Sequence, residues 1–283
     1  MAHNQTEIVI SSAVRTSIGG FCGVFSAIPA IKLGAMVIRE VIIRAGVSAD
    51  KIDSVLMGNV IQSGNKINSA RQTAIDDRFT IHTPAMTLNR VCGSGLQAVI
   101  SANQEIIASA TEAVIAGGME NMDRAPFLNV DGRYGHKPGH ATVYDAIRRD
   151  GLADAFLDQP FGWVTEDLVT KYEISRGQQD AWALRRQPRF AKAQAAGLFD
   201  KEMVGVEVSD KKGKLFLIKN TSNRPDTTIE ALTKLKSAFR SNGSITAGNA
   251  PSINAGAAAM LAQQPRLLMR MASSPLYASW PAR

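Results

Sequence analysis

Strand-length apolar runs alternate with amphipathic helical stretches through the first 125 residues, and this rhythm narrows the choice of fold more than any other feature. Ile8–Ser11 and Val55–Val60 are short apolar runs of strand length. Between them Leu33, Met36, Val37, Val41 and Arg44 mark one helical face, and Gly46 stands where that helix should stop. Ser69–Ile75 reads as a short helix, Thr80–Val91 as extended chain and Ala113–Ala116 as a further strand. Alternation of this kind predicts an α/β fold, a βαβ sheet with helices on both faces.

From Asp123 to about Phe239 the texture changes: Gly, Pro, His, Arg and Asp become common and periodicity weakens. Helices are expected at Thr165–Tyr172, at Gln178–Ala196 with a kink or break at Pro188, and at Ile229–Lys236. A turn at Gly213 separates the strand-like runs Val204–Val208 and Leu215–Lys219. The alternating pattern returns at Ser244-Ile245-Thr246 and leads into an expected helix from Asn254 to about Ala262. The chain thus divides into an α/β domain over 1–122, an insertion over 123–243, a return to the first domain over 244–262 and an irregular tail over 263–283.

With 283 residues, 45% of them hydrophobic, the chain can bury a large core. Two cysteines, Cys22 and Cys92, do not make a disulfide framework, so a reduced, cytoplasmic protein is expected. The first residues carry no signal-peptide pattern, and no apolar run approaches a membrane span. A net charge of +7 is scattered, and aromatics make up only 6%, which argues against a nucleic-acid stripe. The same excess would suit a small polyanion such as a phosphorylated cofactor.

Chemistry concentrates at Asn89-Arg90-Val91-Cys92-Gly93-Ser94-Gly95. A thiol stands between the extended segment and a helix on which Leu96, Val99, Ile100, Asn103, Ile106 and Ile107 share a face. At a helix N-terminus, free N–H groups and the helix dipole favour thiolate. Gly93 and Gly95 would clear the approach to sulfur, and the N–H of Cys92 or Gly93 could serve as an oxyanion donor. The competing reading is a buried cysteine in an ordinary strand–turn–helix.

Other features weigh less. Cys22, in a Gly-rich loop, is expected to be structural, and His3, His82, His136 and His140 read as surface or loop residues. Gly117-Gly118 follows a strand without dinucleotide spacing, so close backbone packing explains it better. Arg224 in a turn could meet a phosphate, and Thr246–Ala250 is small-residue backbone suited to a narrow slot.

Together these segments resemble the thiolase family. The resemblance is carried by Val14-Arg15-Thr16, Ala70-Arg71-Gln72, NRVCGSGLQAV around Cys92 and Ala116-Gly117-Gly118-Met119-Glu120-Asn121-Met122. It continues through Asp150-Gly151-Leu152, Asp154-Ala155-Phe156, Gln179-Asp180, Thr227-Thr228 and GSITAGNAPSINAGAAAM over 243–260. It implies condensation of two acetyl-CoA to acetoacetyl-CoA, or cleavage of 3-ketoacyl-CoA by CoA, within fatty acid metabolism. Cys92 would carry the acyl thioester. A loop domain would hold CoA, with Arg224 near its phosphates, Leu235, Phe239 and Ala247 along its adenine and pantetheine, and Phe161 and Pro251 as pocket walls. Coenzyme A and acetyl-CoA would be substrates rather than tightly bound cofactors, with no metal. A homodimer or homotetramer is implied, without nucleic-acid or membrane partners.

The family's second half, with its asparagine–glutamate, Gly-His-Pro and Cys-x-Gly segments, has no counterpart in these residues, and most of a C-terminal domain is expected to be lacking. Pro160 stands where many thiolases have histidine, and Asn254-Ala255-Gly256 lacks a frequent acidic residue. Three readings follow: a thiolase-type acyltransferase, a catalytically dead remnant that binds CoA, or a subunit that only associates with a full-length relative.

Overall fold

The computed structural model describes residues 7–76, 79–209, 213–219 and 224–265. They form two compact units. One comprises the chain up to Arg124, the segment Lys201–Asn220 and the stretch from Asn254; the other comprises Ala125–Asp200 and Thr221–Ile253. The tail expected from residue 263 lies, from 266 onward, outside the described residues, as does His3.

The first unit is built on β1 (Val9–Arg15), β2 (Gly19–Gly20), α1 (Ala30–Ala45), β3 (Ser54–Gly58), α2 (Ser69–Asp76), β4 (Ala85–Leu88), α3 (Ser94–Ile107) and β5 (Ala113–Asn121). In the second unit lie β6 (Phe127–Leu128), β7 (Tyr144–Asp145), α4 (Phe161–Lys171) and α5 (Arg176–Ala195). The hairpin β8 (Val206–Ser209) and β9 (Leu215–Ile218) returns to the first unit. The chain then forms α6 (Ile229–Thr233) in the second unit and β10 (Asn254–Gln263) in the first.

A sheet in the order β1-β10-β5-β3-β4, with β2 against β10, carries the first unit. β3 pairs in parallel with β4 and β5, whereas β10 is antiparallel to β1 and β5. All five residues of β3 are buried, as a central parallel strand requires. Alternation sorts the side chains: Val55, Met57, Ile115 and Leu261 join Leu33, Val37, Ile38 and Val41 of α1 and Ala70 and Ala74 of α2. Leu56, Val114, Ala116 and Ala262 instead meet Ala98, Ala102 and Ile106 of α3. Helices therefore cover both faces, as the strand–helix rhythm requires. Gly46 ends α1 in the left-handed conformation, at φ 65°, where a side chain is disfavoured.

Three expectations are corrected. The stretch from Asn254 to Ala262 is a strand, not a helix. A continuous small apolar run carries no period of its own, and tertiary pairing decides it. Here β10 is flanked on both sides, and Ala255, Ala257, Ala259 and Leu261 bury one face at period two. No break occurs at Pro188, which lies inside α5 as it runs from Arg176 to Ala195. Because Pro188 is exposed, water can satisfy the carbonyl whose helical donor it removes. A capping box between Ser175 and Gln178 fixes the N-terminal end. Thr80–Val91 is extended only over β4, since Thr83 N–H closes a turn onto Thr80 O at 3.2 Å.

The hairpin within 201–220 groups with the sheet rather than with the rest of the insertion. Its Val206 is fully buried in the α1 core, Glu202 pairs with Arg15 at 2.7 Å, and Val204 N–H reaches Arg15 O at 2.8 Å. Among the described residues no helix is long and apolar enough to cross a membrane.

Candidate active site

Cys92 lies between β4 and α3 and is exposed. The buried-cysteine reading is thereby set aside. Its turn is held by short local bonds. Val91 N–H donates to Asn89 Oδ1 at 2.9 Å, Arg90 N–H to Ser94 Oγ at 2.8 Å, and Ser94 Oγ to Val91 O at 2.6 Å. Val91, directly before the thiol, takes φ 51°. For a β-branched residue that conformation costs about 1–3 kcal/mol, and it persists only where the surroundings enforce it. The thiol is thus presented on a strained, hydrogen-bonded bend.

The helix behind it differs from expectation. Its buried face is Ser94, Ala98, Ala102 and Ile106, while Leu96, Ile100 and Ile107 are exposed. Small residues let α3 lie close on the sheet, and that approach outweighs the larger apolar stripe. The glycines serve the same contact. A Cβ at Gly58 would meet Ser94 C at 2.6 Å and Gly95 N at 2.7 Å, and one at Gly118 would meet Gly95 Cα at 3.3 Å. Gly58 is therefore required by backbone-to-backbone packing against the first turn of α3, and Gly118 packs tightly on the same turn, whereas Gly95 itself has open space to 3.9 Å. Gly93 N–H is donated to Arg90 O at 3.1 Å, so of the two expected oxyanion donors only the Cys92 amide remains a candidate.

Cys22, expected to be structural, is also exposed, with φ 53°, and its N–H donates to Asp123 Oδ1 at 2.8 Å. His136 shares a hydrogen bond with Asn129 at 2.9 Å, and His82 and His140 are exposed. Among the described residues no hydrogen bond joins Cys92 to a histidine.

Arg224, Leu235, Phe239, Ala247, Phe161 and Pro251 all fall in the second unit. Leu235 lies over Gly248, next to Ala247: a Cβ on that glycine would come within 2.6 Å of Leu235 Cδ1. Phe239 covers Gly162, adjacent to Phe161 at the start of α4, so closely that no Cβ fits between them. Phe161, Leu235 and Phe239 each keep about two fifths of their surface exposed, at 40%, 37% and 37%, so they offer apolar area to a ligand. Arg224 is exposed, its N–H donating to Gln187 Oε1 at 3.1 Å.

Sequence reasoning missed the acids that hold this segment. Buried Glu166 of α4 accepts from Ser244 N–H at 2.9 Å and Ile245 N–H at 2.8 Å. Burial pushes its pKa up, but those N–H donors, the Ser244 hydroxyl and the Arg240 guanidinium outweigh it and hold the carboxyl below its ordinary range. Buried Asp180 of α5 pairs with Arg176 at 2.7 Å and accepts from Asn249 Nδ2 at 2.9 Å. Asn249 Oδ1 in turn receives Thr246 N–H at 2.7 Å. Asp180 stood among the residues that carry the family resemblance without any sign of this bonding role, and Glu166, one of two adjacent acids in α4, is indistinguishable by sequence from a solvated charge.

The chain is similar to known proteins along nearly all of its described length. The family model described as the thiolase N-terminal domain matches residues 8–265. A probable acetyl-CoA acyltransferase of Staphylococcus epidermidis is 46% identical over 258 residues, 91% of this chain and 66% of that protein. An acetyl-CoA acetyltransferase of Pseudomonas aeruginosa is 44% identical over 256 residues, covering 90% and 65%. The crystal structure of the Bacillus anthracis acetyl-CoA acetyltransferase superposes with a TM-score of 0.92 at 33% identity, over 96% of this chain and 69% of that one. The chain spans about two thirds of the length of these curated relatives. With the strained cysteine turn, the two-faced sheet and a match through nearly all described residues, the chain belongs to the thiolase family.

Proposed function

We propose that Cys92 accepts an acyl group from acyl-CoA as a thioester, in acyl transfer of the kind named for the acetyl-CoA acyltransferase relatives. The observation that carries this reading is the exposed thiol on the strained bend between β4 and α3, within the residues that the family model matches. In the proposed step the Cys92 thiolate attacks the acetyl carbonyl carbon, the C–S bond to CoA breaks, and CoA leaves as its thiolate. The Cys92 amide would face the developing oxyanion. Coenzyme A would be held by the second unit, with Arg224 at its phosphates and Leu235, Phe239 and Ala247 along its apolar parts; Phe161 and Pro251 would line the acyl pocket. The setting would be fatty acid metabolism in the cytoplasm, in a homodimer or homotetramer.

Incubation of the purified chain with acetyl-CoA tests the acyl step by intact mass and peptide mapping. One added acetyl group on Cys92, with CoA released in equal amount, is expected. No adduct from a folded sample would overturn it, and CoA binding without an adduct would leave the binding remnant as the better account.

A further inference from the structure

Glu120 is a half-buried carboxylate near the end of β5, and the acyl-transfer step does not use it. Both of its oxygens are engaged by one short segment, the turn after β3. Oε1 accepts from Asn59 Nδ2 at 3.0 Å, and Oε2 accepts from Val60 N–H at 2.9 Å and Ile61 N–H at 3.2 Å. Asn59 extends the grip: its Oδ1 receives Ser69 Oγ at 2.9 Å, and its Nδ2 also reaches Met119 O at 3.3 Å.

That turn touches the thiol's own strand at two points. Asn59 N–H donates to Leu88 O at 3.0 Å, at the last residue of β4. Val60 O receives Asn89 Nδ2 in a longer bond of 3.4 Å. The same Asn89 side chain holds, through Oδ1, the N–H of Val91, the strained residue before Cys92. A continuous series of hydrogen bonds thus runs from Glu120 to the bend that presents the sulfur. Glu120 makes no bond to Cys92 itself.

We propose that Glu120 is a positioning residue for Cys92, fixing the 59–61 turn against which Asn89 sets the Val91–Cys92 bend. The inference rests on the reading of Cys92 as a nucleophile. One feature makes a carboxylate the fitting group. It accepts three N–H donors at once, with oxygen at both ends, whereas an amide must turn an NH2 toward either Asn59 or the Val60–Ile61 pair. Burial is the largest influence on its pKa and raises it, against the N–H donors that lower it.

The test uses the full chain and a small alkylating agent, iodoacetamide, at fixed neutral pH. Labelling at Cys92 and at Cys22 is followed separately by peptide mass spectrometry, so Cys22 is an internal reference in every sample. In the wild type, Cys92 should react faster than Cys22. Glu120→Gln should cut the Cys92-to-Cys22 rate ratio about fivefold, the scale of one lost hydrogen bond. Glu120→Asp, which keeps both oxygens on a shorter arm, should recover part of the loss. Asn89→Ala, at an exposed position, should lower the ratio in the same direction and needs no folding through Glu120.

An unchanged ratio in either Glu120→Gln or Asn89→Ala, with native circular dichroism, would overturn the inference while leaving the nucleophile reading intact. An equal rise at both cysteines would also overturn it, because that marks general loosening. Should Glu120→Gln fail to fold, the Asn89→Ala and Glu120→Asp ratios decide. A wild-type Cys92 no faster than Cys22 would instead remove the nucleophile reading, and the positioning role with it.

Discussion

A side-chain carbon on Gly58 would come within 2.6 Å of the Ser94 carbonyl carbon, so the end of β3 and the first turn of α3 meet without room for one. Gly58→Ala should therefore push α3 away from the sheet and cost about 2 kcal/mol, in the range of overpacked cores. Urea denaturation would show it, together with slower acetylation of Cys92. Gly95→Ala is the contrast. Its nearest neighbours would lie at 3.9 Å, and removing a helical glycine should raise stability by about 0.5 kcal/mol. Equal destabilisation by both substitutions would show that the glycines matter for something other than this contact.

Glu120 and Glu166 should give acid responses of opposite sign. Glu166 is held below the ordinary glutamate value of about 4.3, so its contribution is present above that value and is lost as pH falls through the depressed one. Glu120 is raised, so protonation favours the folded state, and its contribution grows as pH falls through the raised value toward the ordinary one. Glu166→Gln should lower stability at pH 7 by about 1–2 kcal/mol and flatten the loss below pH 4. Glu120→Gln should remove a gain at mildly acidic pH. Denaturant melts across pH 3–7 check both, and parallel wild-type and variant curves would refute the assignment.

Pro188 offers a simple gain. It stands inside a continuous α5, without the N–H that the preceding turn needs. Pro188→Ala should stabilise the chain by about 1–3 kcal/mol, less than the full helix-propensity difference where the backbone has already adjusted. A loss of stability would mean that the ring makes a contact worth more than the missing bond.

Arg224 provides a check on ligand binding separate from acylation. Arg224→Ala should weaken coenzyme A binding about fivefold to tenfold by calorimetry, the scale of one charge-assisted hydrogen bond. Dephospho-CoA should show a smaller difference if the guanidinium meets the 3′-phosphate. Unchanged affinity would remove Arg224 from the proposed site.

What could be read from the residues followed their periodicity. Leu33, Val37 and Val41 marked α1, Gly46 marked its end, and the bend at Cys92 showed in its glycines and in the strand and helix around it. Small-residue segments resisted that reading. Ala255, Ala257 and Ala259 carry no pattern until neighbours on both sides make them a strand. On α3 the larger Leu96 and Ile100 were expected inside, yet Ala98 and Ala102 are buried, because closeness to β3 and β5 matters more there than side-chain size. Gly58 and Glu120 act across the sheet on Ser94 and on Val60, relations that no local spacing encodes.

Strand β10 sits between β1 and β5, yet it is encoded after the whole intervening second unit. During synthesis, β1 and the β3–β4–β5 group emerge first and must wait with a one-strand gap between them. Until residues 254–263 leave the ribosome, the edges of β1 and β5 that pair with β10 lack their partner. Sheet closure is then a late, long-range event, slow for the same reason that other non-local pairings are slow. A nascent chain stalled before Asn254 should bind chaperones more than one stalled after Gln263.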